Sequence, residues 1–259
     1  MGLNKGFAKE QEIIRVLNNR TVNEFDSNYK TEISKIFPNF INTNDKVTCF
    51  KNEGVGLEKK NDLTITIKNK NINISVKIGT NNSLHQESIN SFIEFLNSKI
   101  KLSKTESDLI LEFHWCDGTL NNTGPISNRK HKREYKRDKS NKYTTYINVL
   151  RKYKYDLFNR VMLGTINQPD YLLYFKCFDD KIPKFIPMSD LLKFHLGREI
   201  SEDNVGIFRL QNCNACLKGQ DHGHKYHICV QGCPKIEPKT KKHRNDIQFK
   251  MIDIQSNFL

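Results

Sequence analysis

The sequence contains no apolar run near the roughly 18 residues that cross a bilayer, and this excludes a helical membrane-spanning protein. Its first residues, Met1-Gly2-Leu3-Asn4-Lys5, lack the apolar stretch of a signal peptide. They also lack the Ser or Thr that myristoylation of Gly2 would require, so no membrane partner and a cytoplasmic location are expected. Acidic residues are in deficit: 29 Asp and Glu face 42 Lys and Arg, a net charge of +13. Such an excess attracts polyanions and makes nucleic acid the first partner to consider. Disorder is excluded by 37% hydrophobic residues with 16 Phe and 9 Tyr among the 259. Cysteine is sparse and odd in number, seven in all, which in a cytoplasmic chain favours reduced thiols and a metal site over disulfides.

One stretch alternates strictly between apolar and polar residues. Asp62-Leu63-Thr64-Ile65-Thr66-Ile67 is followed by the polar turn Lys68-Asn69-Lys70-Asn71 and then Ile72-Asn73-Ile74-Ser75-Val76-Lys77-Ile78. Period-two alternation of β-branched residues predicts a hairpin buried on one face. A turn centred on Asn69-Lys70 would pair Ile67 with Ile72, Ile65 with Ile74 and Leu63 with Val76. That register sets Asp62 against Lys77 and Thr64 against Ser75, so a carboxylate, a hydroxyl and an ammonium would converge at the open end. The plain alternative is a cross-strand ion pair contributing about 0–1 kcal/mol.

Asp62 followed at an interval by Ser75-Val76-Lys77 resembles the signature of the PD-(D/E)xK nucleases, the fold of many restriction endonucleases. There an aspartate begins one strand and an acid-x-lysine lies on the next. Asn61 stands where a proline is usual, and Ser75 where the second acid is usual. Some members supply that carboxylate from the following helix, which implies Glu87 here. An acidic residue of a first helix also often points to the site, and this implies Glu10, with Glu12 behind it. The resemblance implies Mg²⁺ held by Asp62 with Glu87 or Glu10, Lys77 orienting water or offsetting charge, and Ser75 acting at one remove. Glu10 and Glu12 are equally readable as solvated residues of an amphipathic helix.

Along the chain, residues 4–20 carry a helical stripe of Phe7, Ile13, Ile14 and Leu17. A shorter helix and a loop broken by Pro38 follow, then a strand at 46–51. Ser83 with Gln86 forms a capping box for a helix running to about Ile100, placing Glu87 in its first turn. The N-terminus of that helix suits a phosphate. Asp108–Phe113 reads as a third strand, ending near His114 and Asp117, whose ordinary explanations are a packed ring and a capped turn. A long helix at 143–163, strands at 170–175, 205–210 and 246–251, and a short helix begun at Ser189 complete the pattern.

Two basic stretches stand out. Arg129, Lys130, Lys132, Arg133, Lys136 and Arg137 form a run that is either a solvated loop or a set of phosphate contacts ordering on DNA. Lys241, Lys242 and Arg244 follow a cysteine cluster. In that cluster Cys213-x-x-Cys216 and Cys229-x-x-x-Cys233 are separated by twelve residues, a spacing that lets two loops present four thiolates to Zn²⁺, with His227 as an alternative ligand. A closed site of this kind is structural, and it would stiffen a basic loop able to read a groove, with Arg209, Gln211 and Gln248 as further base contacts.

The expected fold is α/β (α+β): a mixed central sheet flanked by helices, restriction-endonuclease-like, with a small zinc-binding loop near the C-terminus. The expected division is a nuclease core at 1–125 and a basic recognition region at 126–259, with the zinc insertion at 211–235. The resemblance implies a Mg²⁺-dependent, sequence-specific double-stranded DNA endonuclease similar to type II restriction enzymes, with a homodimer as one arrangement. Two other readings are a non-catalytic zinc-containing DNA-binding protein and an HNH-type nuclease at Asp221-His222; for the latter, twelve residues between the cysteine pairs are too few.

Overall fold

A computed structural model describes residues 5–52, 60–79, 83–125, 128, 130, 132–197, 204–205, 208–209 and 246–250. The predicted zinc insertion and Lys241, Lys242 and Arg244 lie outside these residues, as does Arg129. The chain divides into two compact units. The first is built from the chain up to residue 82 together with 162–195, and the second from 83–161 with the strands of 196–252.

The first unit is a six-stranded sheet with helices packed on its apolar face. Helix α1 (Lys5–Leu17) is amphipathic and buries Ile13 and Leu17. Strand β1 (Arg20–Thr21) and a 3-10 turn lead to helix α2 (Ser27–Ile36). Asp26 caps α2, its carboxylate accepting from the amides of Asn28 and Tyr29 at 2.9 and 3.0 Å. Pro38 ends the helical path and starts a second 3-10 turn. Strands β2 (Lys46–Lys51), β3 (Leu63–Ile67) and β4 (Lys70–Ile78) form an antiparallel meander. Strand β6 (Tyr171–Phe175) runs parallel to β4, and β7 (Lys184–Pro187) runs antiparallel to β6. The order is β1-β2-β3-β4-β6-β7. A parallel neighbour requires a long crossover, and everything from Gly79 to Asp170 lies between β4 and β6 in sequence. Helix α8 (Met188–Gly197) follows β7 directly.

Alternation along β3 and β4 falls as the sequence predicts. Leu63, Ile65, Ile67, Ile72, Ile74 and Val76 join Ile13, Leu17, Ile33 and Ile36 in one core, with Leu173 and Phe175 from β6. Burial of such side chains, at about 1.5–3 kcal/mol each, holds the hairpin's register against slips that would turn this set to solvent.

The second unit pairs β5 (Ser83–Ser88) antiparallel with β10 (Asp246–Lys250). Helices α3 (Ile89–Ile100), α4 (Lys104–Trp115), α5 (Lys132–Asp138), α6 (Ser140–Lys152) and α7 (Lys154–Phe158) follow, and a π-helical turn at Asn159–Leu163 ends the run. Strands β8 (Asn204–Val205) and β9 (Phe208–Arg209) form a short hairpin. An aromatic cluster holds α4, α5 and α6 together: the Phe113 ring stacks on Tyr146 at 4.3 Å and meets Tyr135 edge-on at 5.5 Å.

Three sequence expectations are corrected in this unit. Asp108–Phe113 is helical rather than a strand, because Ser103 and Glu106 form a complete capping box and Leu109, Ile110 and Phe113 share one buried side. An apolar run this short fits either period until its cap is recognised. The helix expected from Ser83 begins instead at Ile89, capped by Ser88, whose hydroxyl accepts from the Ser91 amide at 3.0 Å. Residues 83–88 are claimed by β10, a partner far along the chain. The long helix expected over 143–163 is divided among α6, α7 and the π-helical turn.

Ile65 is fully buried at the centre of the sheet. Replacing it by alanine should lower unfolding stability by about 2–5 kcal/mol, read from the denaturant midpoint at unchanged slope.

Candidate functional site

The turn joining β3 to β4 is two residues shorter than the apolar pattern alone suggests. Only Lys68 and Asn69 lie outside the ladder, and Ile67 pairs with Lys70. Lys68 takes the left-handed conformation at φ 52°, and its ammonium is held by Asp45 at 3.0 Å. Leu63 therefore faces Ile74, and Thr64 faces Asn73. The register is displaced by two residues from the expected one. An even displacement preserves the two faces of the sheet and changes only which polar residues meet.

The consequence falls on Asp62. Its amide donates to the Ile74 carbonyl at 2.7 Å and its carbonyl accepts from the Asn52 amide at 3.1 Å, which extends the ladder one residue beyond β3. Ser75, not Lys77, is now its neighbour across the hairpin. The Ser75 hydroxyl donates to Asp62 Oδ2 at 3.2 Å and the Val76 amide donates to the same oxygen at 2.6 Å. Oδ1 has no partner among the described residues. The expected Asp62–Lys77 pairing is thus corrected, and the plain reading of a cross-strand ion pair goes with it. Lys77 is half-buried, and its ammonium forms no hydrogen bond or ion pair with any described residue. Strand alternation keeps Asp62, Ser75 and Lys77 on one face, with Tyr174 of β6 as the register partner of Lys77.

Polar residues around Asp62 form a network that the sequence did not disclose. Thr64 Oγ1 accepts from Asn52 Nδ2 at 2.9 Å and donates to Asn73 Oδ1 at 3.0 Å. Asn61 Nδ2 donates to that same Asn73 oxygen at 3.3 Å. Asn73 is tied to the next strand: its amide donates to Asp170 Oδ2 and its carbonyl accepts from the Asp170 amide, both at 2.8 Å. In sequence, asparagine and threonine on the polar face of a hairpin read as solvated residues; only the register brings them together.

Glu10 lies on α1, where it accepts from Lys51 Nζ at 2.7 Å, with the same ammonium 4.3 Å from the Phe7 ring. Glu87 belongs to the second unit and lies on β5 rather than in a helical first turn. It is fully buried, and Arg160 grips it with two bonds, Nε to Oε1 at 3.0 Å and Nη2 to Oε2 at 2.6 Å. The guanidinium also stacks over Phe95 at 4.1 Å. Among the described residues no three His, Cys, Asp or Glu side chains gather as a metal cluster. Among the described residues the donor set is therefore a single carboxylate, Asp62, with one oxygen that has no described partner. Mg²⁺ keeps several waters and takes one or two carboxylates, so Asp62 fits it as a lone protein carboxylate ligand.

The first basic run is helical rather than a loop, since Lys132–Asp138 form α5. Lys130 Nζ and Arg137 Nε both bond Asp138, at 2.7 and 2.8 Å, and these partners hold the Asp138 carboxyl down at about 2. Lys136 lies over the Tyr143 ring at 5.7 Å. Of Lys132 and Arg133 the backbone alone is described. Asp117 is buried as a turn residue, accepting from Thr119 and Gly124. The described cysteines, Cys49, Cys116 and Cys177, are not in disulfides. Burial pushes the Cys49 thiol up to about 12. No described helix is long and apolar enough to cross a membrane.

No family model matches the sequence, and no curated protein matches it. Among solved structures, the restriction endonuclease MspI in complex with its cognate DNA is similar in fold, with a TM-score of 0.55 and 13% identity over 95% of this chain and 88% of that one. The chain has a restriction-endonuclease-like fold.

Arg160→Ala should strip the buried Glu87 carboxylate of its counter-charge and destabilise the protein by about 3–5 kcal/mol. Glu87→Gln in that background should recover part of the loss in a chemical denaturation series.

Proposed function

We propose, taking the restriction-endonuclease-like fold as premise, that the chain is a Mg²⁺-dependent endonuclease acting on double-stranded DNA. The observation that carries this reading is the state of the hairpin's polar end. One oxygen of Asp62 is fixed by the Ser75 hydroxyl and the Val76 amide, and the other has no partner among the described residues. Lys77 sits on the same face with no counter-ion among the described residues. A structural aspartate and lysine so placed would ordinarily neutralise each other; here each is kept for something else.

Asp62 would hold Mg²⁺, which when bound supplies positive charge to the attacking and leaving oxygens of a phosphodiester. Ser75 and Val76 orient the carboxylate by donating to Oδ2, leaving Oδ1 directed away from the hairpin's own donors. Lys77 offers an ammonium to the non-bridging phosphate oxygens, where negative charge grows during attack, and orients the incoming water. Glu10 and Glu87 each already hold a cation, Lys51 and Arg160. Asp62 is accordingly the carboxylate assigned to the ion.

DNA affinity is assigned to the charge excess. Within the first basic run, Lys132, Arg133 and Lys136 are the assigned phosphate contacts, on the charge of the run; Lys130 and Arg137 bond Asp138. Spacing supports Zn²⁺ at Cys213, Cys216, Cys229 and Cys233, stiffening a loop in which Lys241, Lys242 and Arg244 follow. Sequence specificity of the type II restriction kind, and a second copy of the chain on a two-fold site, complete the proposal.

Cleavage of a long duplex with Mg²⁺ tests the catalytic assignment. Asp62→Ala and Lys77→Ala should each slow it by at least about a hundredfold while DNA still binds. Binding without cleavage under Mg²⁺, Mn²⁺ or Co²⁺ would instead leave a zinc-containing DNA-binding protein. A second prediction concerns Asp138→Asn, which removes the carboxylate that Lys130 and Arg137 bond. The slope of log affinity against log salt should become more negative by about 0.9 for each further phosphate that these cations contact.

A further inference from the structure

Asp62 is surrounded on three strands by side chains that are polar without being charged. Asn61 and Thr64 lie on either side of it along β3, and both are almost completely buried. They converge on one atom, Asn73 Oδ1, at 3.3 and 3.0 Å. Thr64 also accepts from Asn52, whose own amide holds the Asp62 carbonyl. Asn73 Nδ2 reaches the Gln168 carbonyl at 3.3 Å, and its main chain is clasped by Asp170 at both N–H and C=O. One buried atom of this group, Asn61 Oδ1, has no partner among the described residues; the other side chains bond one another, and a bonded polar network fixes one arrangement more sharply than apolar packing does. An apolar face at these positions would give the sheet equal or better stability. It would lose the tie between β4 and Asn61, the residue before Asp62, whose main-chain amide donates to no described residue.

We propose that Asn73 is a positioning residue for Asp62, acting through the Asn61 amide group and the Thr64 hydroxyl to set where the chain enters β3. The inference rests on the endonuclease reading, in which Asp62 is the ligand of the divalent ion. A ligand carboxylate tolerates little displacement, and the Asp62 side chain takes its direction from the backbone on which it stands. The Asn61–Asn73 bond restrains the residue immediately before Asp62 from the neighbouring strand.

The test uses the full-length protein and two readouts: Mn²⁺ affinity without DNA, followed by electron paramagnetic resonance, and single-turnover cleavage of duplex DNA with Mg²⁺. Asn61→Ala and Asn73→Ala should weaken Mn²⁺ binding and slow cleavage, each by roughly tenfold or more, as expected when a reacting group is slightly misplaced. DNA affinity should change by less than about twofold, since the loss is not one of ground-state binding. Asn61→Pro should rescue most of both readouts, because the ring restricts φ without side-chain help and no described bond to the amide is lost. Thr66→Val removes an equivalent bond, Thr66 to Asn71 at 2.8 Å, at the turn end of the same hairpin. It should shift Tm with neither readout altered, separating position from stability.

Asn61→Pro as defective as Asn61→Ala would overturn the inference, and so would wild-type Mn²⁺ binding by Asn73→Ala. If Asn73→Ala does not fold, the Asn61 pair decides alone. Asp62→Ala serves as the reference: full Mn²⁺ affinity and cleavage in that variant would sink the endonuclease reading itself, and the positioning role with it. Loss in Asp62→Ala with none in the asparagine variants would sink only the positioning role.

Discussion

The arrangement at the hairpin depends on a two-residue turn. Lys68 and Asn69 alone leave the ladder, with Lys68 in the left-handed region and its ammonium anchored to Asp45. A turn two residues longer would keep every isoleucine in the core, so hydrophobic burial does not choose between them. What the short turn decides is chemistry: Asp62 meets Ser75 and the Val76 amide instead of Lys77. Two groups that would have neutralised each other are held apart on one face of the sheet.

Much of the first unit was legible because its signals are local and periodic. Alternation marked β3 and β4, a short apolar run marked β6, and the stripe of Ile13 and Leu17 marked α1. Register was not legible, since four polar residues from Lys68 to Asn71 fit more than one turn and faces are preserved under an even shift. Strand β7, with its Pro187, and the two-residue β1 are too short to register as patterns. In the second unit the failures share a cause. Ser83 and Ser88 both look like helix caps, and the choice between them is made by pairing with β10. Leu109-Ile110-Leu111 looks like a strand until the Ser103–Glu106 box is seen. Asp62, Ser75 and Lys77 could be named from the sequence, but the asparagine network could not, because it exists only across strands.

Charge is deployed differently around Asp62 and in the second unit. Around Asp62 the polar side chains that touch one another are neutral, so the carboxylate is oriented by hydrogen bonds from a hydroxyl and an amide. In the second unit, cations and carboxylates are matched: Glu87 with Arg160, Glu112 with Lys139 and Lys142, Asp138 with Lys130 and Arg137. Burial raises the Glu112 carboxyl, but the two lysines outweigh it and hold the group below its ordinary range. That clamp therefore contributes stability above the usual carboxylate range and loses it as pH falls through the depressed value. The count of 42 Lys and Arg overstates the cations available to a polyanion, since several are paired within the fold, whereas the net charge of +13 already discounts their carboxylate partners.

A crystal structure of the protein with duplex DNA and Ca²⁺ tests the central claim most directly. The account predicts the ion on the uncommitted oxygen of Asp62, with a backbone phosphate within hydrogen-bond reach of Lys77 Nζ. An ion bound elsewhere, or DNA lying away from the polar face of β3 and β4, would contradict it.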